Sequence, residues 1–430
     1  MNVSKHINSF LLLLYVVFLA SNVFAFRAIT SICLVLLVVT GLIKSKLETG
    51  NWSTTEWKNP FFIACCVYFF VQTFFLLYAP HTHSSLKEIG TKTAIVVTPF
   101  CLCCCSNFSR KFFEKLMICY VFIILFFEII CLSSAAYRFF ILHASIETFF
   151  YHTLVSPFKQ HAVYVSILVF IALIYLLDKA KHDPSKRKFT IISLIATFVL
   201  FILLLSSKLV ITFMSISVVY YLASSLQNIS GITSIRTAGL GLLAMLLIVG
   251  CISFTNNPIS KRYHEVLFTN IALVQQKDFT PDTYFDGIQF RLLEWRFVKE
   301  ILNERNAWQT GVSSDAQTLL NDKYKSTHMY IGDGRSTDQG YLDYNTHNQF
   351  LEATLHAGVF SLAAFIFLCA GLVYLTVKAK NTILTILVML LLVYSFNESI
   401  LERQYGIIIF TFIPLFLYRY SFSKQEKVKG

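Results

Sequence analysis

Ionisable residues near the ends of apolar segments are the side chains of this sequence that could do chemistry. A charged group beside a lipid bilayer is costly to bury, so it is a functional candidate by default. The hydropathy pattern places seven of them on one side of a membrane: His161, Lys208, Arg262, Arg291, His347, Glu398 and Arg403. Guanidinium groups bind phosphate oxygens through paired hydrogen bonds, and an imidazole can take up a proton near neutral pH. The set suits a ligand with an anionic head and an apolar tail, such as a lipid diphosphate.

The composition indicates the surroundings in which these residues act. Of the 430 residues, 56% are hydrophobic and only 14% are charged, and the mean hydropathy is +0.62. Soluble domains are about one quarter charged, so a chain with 42 Phe and so few charges cannot cover a surface that faces water. The sequence therefore predicts an all-α polytopic membrane protein in contact with a lipid bilayer.

Apolar segments recur along the whole chain. A spanning helix needs about 20 mostly apolar residues, because the lipid interior offers no hydrogen-bond partner to an open backbone. About twelve segments qualify, several of them short. They lie near residues 8–26, 28–43, 60–79, 92–106, 114–134, 161–177, 189–205, 208–225, 237–255, 355–377, 381–396 and 405–420. The first resembles a signal peptide, because Lys5 precedes an apolar run that ends in Val23-Phe24-Ala25, but we interpret it as an uncleaved helix.

The basic residues set the predicted orientation. The formal net charge of +12 at pH 7 at first suggests a nucleic-acid partner, but the positions of the charges argue against one. They lie in short hydrophilic segments between apolar runs, as the positive-inside rule describes. The segments that would then be inside include the basic loop at 179–188 and both termini, which are predicted to be cytoplasmic. The long hydrophilic loop at 256–346 is predicted to lie outside.

This layout predicts three regions. Residues 1–255 form spans one to nine, residues 256–346 form an external loop subdomain, and residues 347–430 form the last three spans and a cytoplasmic tail. Within the loop, a helix is predicted over 287–305 from apolar residues at helical spacing. These residues are Ile288, Leu292, Trp295, Val298 and Leu302.

A second loop helix is predicted from a possible capping box. The run Ser314-Asp315-Ala316-Gln317 has the spacing in which a serine and a glutamine cap the same helix start. The helix would continue to about Lys325. Gly311 separates the two predicted helices.

The stretch from Asn345 to Ser361 holds the most specific pattern in the chain. It contains His347-Asn348, then nine residues, then Gly358 and, three positions further on, Ser361. This pattern resembles the signature of the O-antigen ligase and O-antigen polymerase superfamily, in which a second glycine occupies the position of Ser361. Serine is also small, so close helix packing is expected to survive the change.

Other matches to this superfamily extend over roughly residues 160–415. Arg291 and Trp295, followed by Gly311, are similar to the helix that precedes its signature. Arg262-Tyr263 resembles its Arg-aromatic pair, and Ser206-Ser207-Lys208 takes the place of a Ser-Arg motif. The segments at His161-Ala162-Val163-Tyr164 and at Glu398-Ser399-Ile400-Leu401-Glu402-Arg403 resemble patterns of its Bacteroidetes-like branch.

The resemblance implies a metal-independent glycosyltransferase of the GT-C type without a cofactor. Such an enzyme takes glycan from undecaprenyl diphosphate on the periplasmic face of the bacterial inner membrane and transfers it to an acceptor hydroxyl, here of lipid A-core. The resemblance assigns His347 as general base, a role worth about 10²–10⁴-fold in rate. It assigns Arg291 to the diphosphate, with Arg262 and Lys208 as secondary contacts. Supporting roles fall to Asn348, His161, Glu398 and Arg403.

Plainer interpretations compete with these roles. Arg291 could pair with Glu294 on an amphipathic helix, and Glu398 with Arg403. His356 is interpreted as a packed or hydrogen-bonded residue. A polymerase that extends one lipid-linked glycan with another needs the same base and the same diphosphate contacts, so the signature does not separate it from a ligase. Twelve spans also suit a transporter, but the large loop follows the ninth span instead of the sixth.

Overall fold

The computed structural model describes residues 2–52, 54–77, 82–105, 108–182, 188–230, 269–333 and 338–426, and these ranges contain helices and loops without a β-strand. The α-helices are α1 (Asn2–Val23), α2 (Arg27–Thr49), α3 (Pro60–Leu77), α4 (Thr82–Lys92), α5 (Ala94–Cys103), α6 (Arg110–Phe140), α7 (Tyr151–Leu154), α8 (Ala162–His182), α9 (Lys188–Leu204), α10 (Lys208–Ser230), α11 (Gly287–Glu304), α12 (Ala316–Ser326), α13 (Gln349–Ala379), α14 (Thr382–Tyr394) and α15 (Gln404–Glu426). Short 3₁₀ helices cover Thr55–Lys58, Ile146–Phe149, Ser156–Phe158, Ile271–Gln275, Ser313–Asp315 and Ile400–Glu402.

Seven of the described helices are long and apolar enough to cross a membrane by length and composition. They are α1, α2, α3, α6, α8, α13 and α15. Three shorter apolar helices, α9, α10 and α14, accompany them. The chain is therefore a helical membrane protein, as its composition predicts.

The number of spans remains a prediction. The predicted ninth span, at 237–255, lies outside the described residues. The predicted fourth span, at 92–106, contains only the 10-residue helix α5, which has Pro99 inside it. At about 1.5 Å per residue, such a helix covers about half of the hydrocarbon thickness.

Burial divides the helices into an outer and a central group. On the outer helices α2 and α6, large apolar side chains such as Val35 and Phe122 are each 60% exposed. An apolar surface of this extent needs a cover, which lipid provides. In α8 and α15 nearly all side chains are buried, as from Ile407 to Leu417. These two helices therefore form the centre of the bundle, where α15 packs against α5 and α8 packs against α9 and α10.

Helix α13 is broken near the long hydrophilic loop. Ala357 (φ −141°, ψ 30°) and Gly358 (φ 59°, ψ −152°) leave the helical conformation. The break frees the carbonyl of Leu355, which accepts a hydrogen bond of 2.7 Å from the backbone N–H of Val312. The loop segment at 308–312 is thereby joined to a membrane helix.

Two glycines make this junction possible. A Cβ atom on Gly358 would lie 2.1 Å from the carbonyl oxygen of Gln309, and one on Gly311 would lie 2.5 Å from the backbone of His356. Both glycines also have positive φ values, which L side chains rarely adopt. The same steric reason therefore explains Gly358 of the signature and Gly311 of the preceding helix motif: a side chain at either position would collide with the backbone of the other segment.

The two helices predicted in the long hydrophilic loop are both present. Helix α11 covers Gly287–Glu304, and its start is a capping box in which Asp286 and Gln289 cap each other's backbone. Helix α12 covers Ala316–Ser326, but the capping box predicted at its start is wrong. Ser314 Oγ has no hydrogen-bond partner, and a 3₁₀ turn over Ser313–Asp315 precedes the helix.

The predicted apolar face of α11 also needs correction. Of the predicted positions Val298 and Leu302 are buried, whereas Ile288, Leu292 and Trp295 are only partly buried. The other buried apolar positions include Leu293, Phe297 and Ile301. The buried face packs against α12 and against the first part of α13. Burial on this face includes Glu294, which the sequence interpretation had not placed in the core.

Candidate active site

His347 is held in a strained turn at the start of α13. Its φ of +45° lies in the left-handed region, which is uncommon for residues other than glycine and often marks a functional site. Asn345 Oδ1 accepts the backbone N–H of His347 at 3.1 Å. The side chain of Asn348 accepts the N–H groups of Phe350 and Leu351 at 2.9 and 3.2 Å and so caps α13. Asn348 thus fixes the position of His347 through the backbone.

Glu294 is the main partner of His347. Its two carboxylate oxygens lie 3.0 and 3.3 Å from His347 Nδ1, and the carbonyl oxygen of Asn345 is 3.0 Å from the same nitrogen. Three oxygen acceptors around one ring nitrogen require that Nδ1 carries the proton. The lone pair is then on Nε2. Glu294 is fully buried and also accepts a hydrogen bond of 3.2 Å from the hydroxyl of Tyr324.

Aromatic rings hold the imidazole in place. The ring of Tyr344 stacks on it at a centroid distance of 5.8 Å, and Phe290 contacts it edge-on at 5.9 Å. The His347 side chain is 15% exposed. The imidazole is therefore fixed in orientation but accessible to a ligand.

Burial and charge shift the pKa values of both His347 and Glu294. Burial raises the pKa of the Glu294 carboxyl to about 7, although the positive charges of His347 and Arg291 act against the shift. Burial alone would lower the pKa of His347, but the charge and hydrogen bond of Glu294 outweigh it, so the pKa is raised. A proton taken up at Nε2 is thus stabilised by the carboxylate on the other side of the ring, as a general base requires.

Arg291 lies one helical turn before Glu294 on α11. Its Nε donates to the carbonyl of Asn397 at 3.0 Å, and Nη1 donates to the carbonyl of Gly287 at 2.6 Å. The alternative in which Arg291 pairs with Glu294 is wrong, because the carboxylate turns to His347. A guanidinium has five N–H donors, so these two contacts orient Arg291 and leave donors for a ligand.

His161 shares the electrostatic environment of this pair. Burial lowers its pKa well below the usual value, and the charges of His152, Arg403, His347 and Arg291 lower it further. These groups are thus near one another. His161 Nδ1 is buried without a hydrogen-bond partner, and its ring lies 4.4 Å from that of His152.

Glu398 and Arg403 lie in the same region but do not form the ion pair that the plainer interpretation suggested. Glu398 is buried and its negative charge helps to raise the pKa of His347. Arg403 Nη1 donates to the hydroxyl of Tyr405 at 2.8 Å. No contact within 4 Å joins the two charged groups, both of which the structure describes. They interact only at longer range, where the charge of Glu398 contributes to the raised pKa of Arg403.

The two remaining predicted cations are located less directly. Lys208 is the first residue of α10. Since α8 starts just after His161 and α9 returns towards that end, Lys208 and His161 share one end of the bundle. Arg262 lies outside the described residues.

A second polar cluster, centred on Lys92, was not predicted from the sequence. Lys92 is buried, and its ammonium nitrogen lies 2.8 Å from Glu88, 2.8 Å from Gln72 and 3.5 Å from Glu402. The donor atoms of Glu88, His356 and Glu402 are within 4.8 Å of one another, as the ligands of a metal ion would be. The Lys92 ammonium already supplies the positive charge that these carboxylates need.

His356 connects the Lys92 cluster to the start of α13. Its Nδ1 lies 3.1 Å from Glu88 and its Nε2 lies 3.1 Å from Glu352. This confirms the interpretation of His356 as a hydrogen-bonded residue. Glu352 in turn accepts hydrogen bonds from Thr346 Oγ1 at 2.7 Å and from Ser399 Oγ at 3.1 Å. Because Thr346 directly precedes His347, the cluster supports the turn that carries the imidazole.

Ser361, which departs from the superfamily signature, has a specific role in the structure. It is fully buried, and its hydroxyl accepts a hydrogen bond from Gln72 Nε2. Since Gln72 Oε1 accepts from Lys92, the serine extends the Lys92 cluster.

No protein-family model matches the chain, and no curated protein matches it significantly. The resemblance to the O-antigen ligase and polymerase superfamily therefore remains a prediction. The residues themselves present a carboxylate-supported imidazole next to an oriented guanidinium. This arrangement can take a proton from a hydroxyl and hold a nearby anion.

Proposed function

We propose that the protein is a membrane-embedded glycosyltransferase similar to O-antigen ligases, which moves glycan from undecaprenyl diphosphate to a hydroxyl of lipid A-core. The observation that carries the proposal is the contact between His347 Nδ1 and Glu294 at 3.0 Å, with Arg291 one helical turn away. His347 lies at the start of α13, and Glu294 lies on the buried face of α11 that packs against it. The protein is proposed to reside in the bacterial inner membrane, with the loop and the His347–Glu294 pair on the periplasmic face.

In the proposed reaction His347 Nε2 takes the proton of the acceptor hydroxyl. The hydroxyl oxygen attacks the anomeric carbon of the glycan, and a new glycosidic bond forms. The bond between that carbon and the diphosphate oxygen breaks, and its electron pair leaves with undecaprenyl diphosphate. Glu294 stabilises the imidazolium that results, as the carboxylate of a catalytic triad does.

The departing diphosphate needs positive charge from the protein. Arg291 is the first candidate, because its contacts with Asn397 and Gly287 fix the plane of the guanidinium. Oriented donors aimed at a developing charge stabilise the transition state without reorganisation. Lys208 and Arg262 are the proposed secondary contacts. Arg403, His161 and Glu398 are proposed to set the local potential.

The test is glycan transfer by the purified protein in liposomes. A defined undecaprenyl-diphosphate glycan is supplied with lipid A-core, and product is followed for the wild type and for His347→Ala. Transfer to lipid A-core by the wild type alone supports the proposal. Lengthening of the lipid-linked glycan without lipid A-core identifies the polymerase alternative instead. Equal transfer by both proteins would refute the role of His347.

A further inference from the structure

A cavity opens beside the loop that precedes α15. It has a volume of about 470 Å³ and lies between α2, α4, α5 and the start of α15. Arg27, Lys87 and Arg403 bring three cationic side chains to its wall. Leu34 and Val97 belong to its apolar part. A cavity with a cationic and an apolar part suits a ligand that combines an anion with a hydrocarbon chain.

The cations of this cavity lack carboxylate partners. Arg27 and Lys87 are exposed, and neither charged group makes an ion pair or a hydrogen bond with the described part of the chain. Among the described residues, the guanidinium of Arg403 donates to the hydroxyl of Tyr405 alone. The one carboxylate in the wall, Glu402, lies 3.5 Å from Lys92 of the Lys92 cluster. Three positive charges therefore line one space, and within the described ranges none of them is neutralised by a direct ion pair.

The cavity borders the surface that lipid is expected to cover. Val35 lines it and, like Ile32 on the same helix, is 60% exposed. A hydrogen bond of 3.0 Å between Gln404 Nε2 and Ser31 Oγ joins α2 to the start of α15 at this wall. An acyl chain could lie along the exposed face of α2 while its head group occupies the cationic end.

The position of Arg403 relates the cavity to the candidate active site. Arg403 lines the cavity and belongs to the loop that precedes α15. In the same loop the carbonyl of Asn397 accepts a hydrogen bond from Arg291, and Ser399 Oγ lies 3.2 Å from Thr346 Oγ1, next to His347 in the chain. One loop thus contacts both the candidate active site and the cavity, whose other two cations come from α2 and α4.

We propose that this cavity binds the phosphate-bearing head group of a second membrane lipid, separate from the lipid diphosphate at His347. An arginine offers paired N–H donors to phosphate oxygens, and a lysine adds a mobile point charge. In the proposed glycan transfer, which this part of the inference rests on, the second lipid is the acceptor.

The binding test uses the full-length protein in detergent and phosphatidic acid as the probe, with diacylglycerol as the neutral probe. The affinity of the first bound phosphatidic acid is measured by native mass spectrometry for the wild type and for Arg27→Gln/Lys87→Gln. A hydrogen bond to a charged group accounts for about tenfold to 100-fold in affinity, and because both cations are exposed we expect the lower end, about tenfold weaker binding, from each lost cation. Lys111→Gln, an exposed lysine at the other end of the bundle, is the matched control and should bind as the wild type does.

Several results would overturn the inference. They are an unchanged affinity in the double variant, equal binding of diacylglycerol, and displacement by inorganic phosphate at a concentration similar to that of the lipid. The last would mean that free phosphate, not a lipid head group, is the ligand. Arg27→Lys/Lys87→Arg should keep most of the affinity, which separates loss of charge from misfolding.

This test is independent of glycan transfer. His347→Ala should bind phosphatidic acid normally. If His347→Ala abolishes transfer but the double variant binds normally, only the second site is wrong. If binding depends on Arg27 and Lys87 but no transfer occurs with any acceptor, only the proposed function is wrong.

Discussion

The His347–Glu294 pair and the Lys92 cluster are both largely buried polar sites, but they differ in how completely their charged side chains are paired. In the Lys92 cluster each charged side chain meets an opposite charge, as Lys92 meets Glu88 and His356 meets Glu352. At His347 only one ring nitrogen is engaged, and the side chain remains 15% exposed. Nearby Arg291 also keeps unused donors. Mutual pairing of charges is typical of a structural cluster. An oriented side chain with unused hydrogen-bond donors or acceptors is typical of a site that binds a ligand.

The difference predicts that removing each centre has a different consequence. His347→Ala should lower glycan transfer by about 10²–10⁴-fold, because the acceptor hydroxyl loses its base. Its melting temperature should stay close to that of the wild type, because the pKa of Glu294 is already raised to about 7, so the carboxyl can take up a proton and keep Tyr324 as a partner instead of remaining as a stranded charge. Transfer rate and thermal unfolding are measured on the same preparation. A large loss of stability together with activity would erase the distinction between the two regions.

Lys92→Met should mainly destabilise the protein. Removing one partner of a buried ion pair leaves an uncompensated charge, which costs about 3–5 kcal/mol. Here Glu88 and Glu402 would lose their cation. Thermal unfolding in detergent measures the effect, with Lys111→Met as the exposed control.

A second substitution tests whether charge is the cause. Lys92→Met/Glu402→Gln removes one of the two stranded carboxylates and should recover part of the lost stability. Failure to recover, with the Lys111→Met control unchanged, would mean that Lys92 acts through packing and not through charge.

Arg291→Ala should weaken the use of the lipid diphosphate by about 100-fold in kcat/KM, because a guanidinium–phosphate contact is worth up to about 3 kcal/mol. Arg291→Lys should recover little, because a point charge cannot replace the paired donors. Kinetics over a range of lipid-diphosphate concentrations distinguish the two variants. Full recovery with lysine would show that charge alone suffices.

Glu294→Gln should lower transfer by about tenfold and change its pH dependence, because the imidazolium loses a charged hydrogen bond. His347 acts as a base only when neutral, so transfer declines as the pH falls through its pKa. Glu294 raises that pKa, and its removal lowers it. The acid limb of the pH profile should therefore move to lower pH. A limb at the same pH in wild type and variant would mean that another group controls it.

Much of the fold followed from hydropathy, because lipid imposes long apolar helices with closed backbone hydrogen bonding. The positions of α11 and α12 also agree with local sequence patterns. The turn at His347 and the break at Gly358, inside the span predicted over 355–377, were not predicted. The short length of α5 and the exact ends of the spans could not be predicted from hydropathy, because an apolar segment does not show where its helix ends inside the bundle.

Glu294 was missed for a geometric reason. Taking Leu292 and Trp295 as the buried face of α11 placed Glu294 at its edge, whereas Phe290 and Phe297 mark the face that is actually buried. A carboxylate one turn from each of these rings was the available indication, because a buried charge requires a partner. The Lys92 cluster assembles residues from α3, α4, α13 and the loop before α15. Such contacts between distant segments cannot be read from spacing along one helix.

Ser361→Gly gives the smallest and most discriminating of these effects. It restores the second glycine of the superfamily signature and removes the hydroxyl that accepts a hydrogen bond from Gln72. Since Gln72 also binds Lys92, we expect a loss of about 1 kcal/mol in unfolding free energy, typical of one buried hydrogen bond. Glycan transfer should be retained, because the serine contributes to the Lys92 cluster and makes no contact with His347. Thermal unfolding and transfer are compared with Ser361→Ala, which removes the same hydroxyl without adding backbone freedom. A loss of transfer in both variants at normal stability would show that the Lys92 cluster takes part in the reaction, and the contrast between the two regions would then fail.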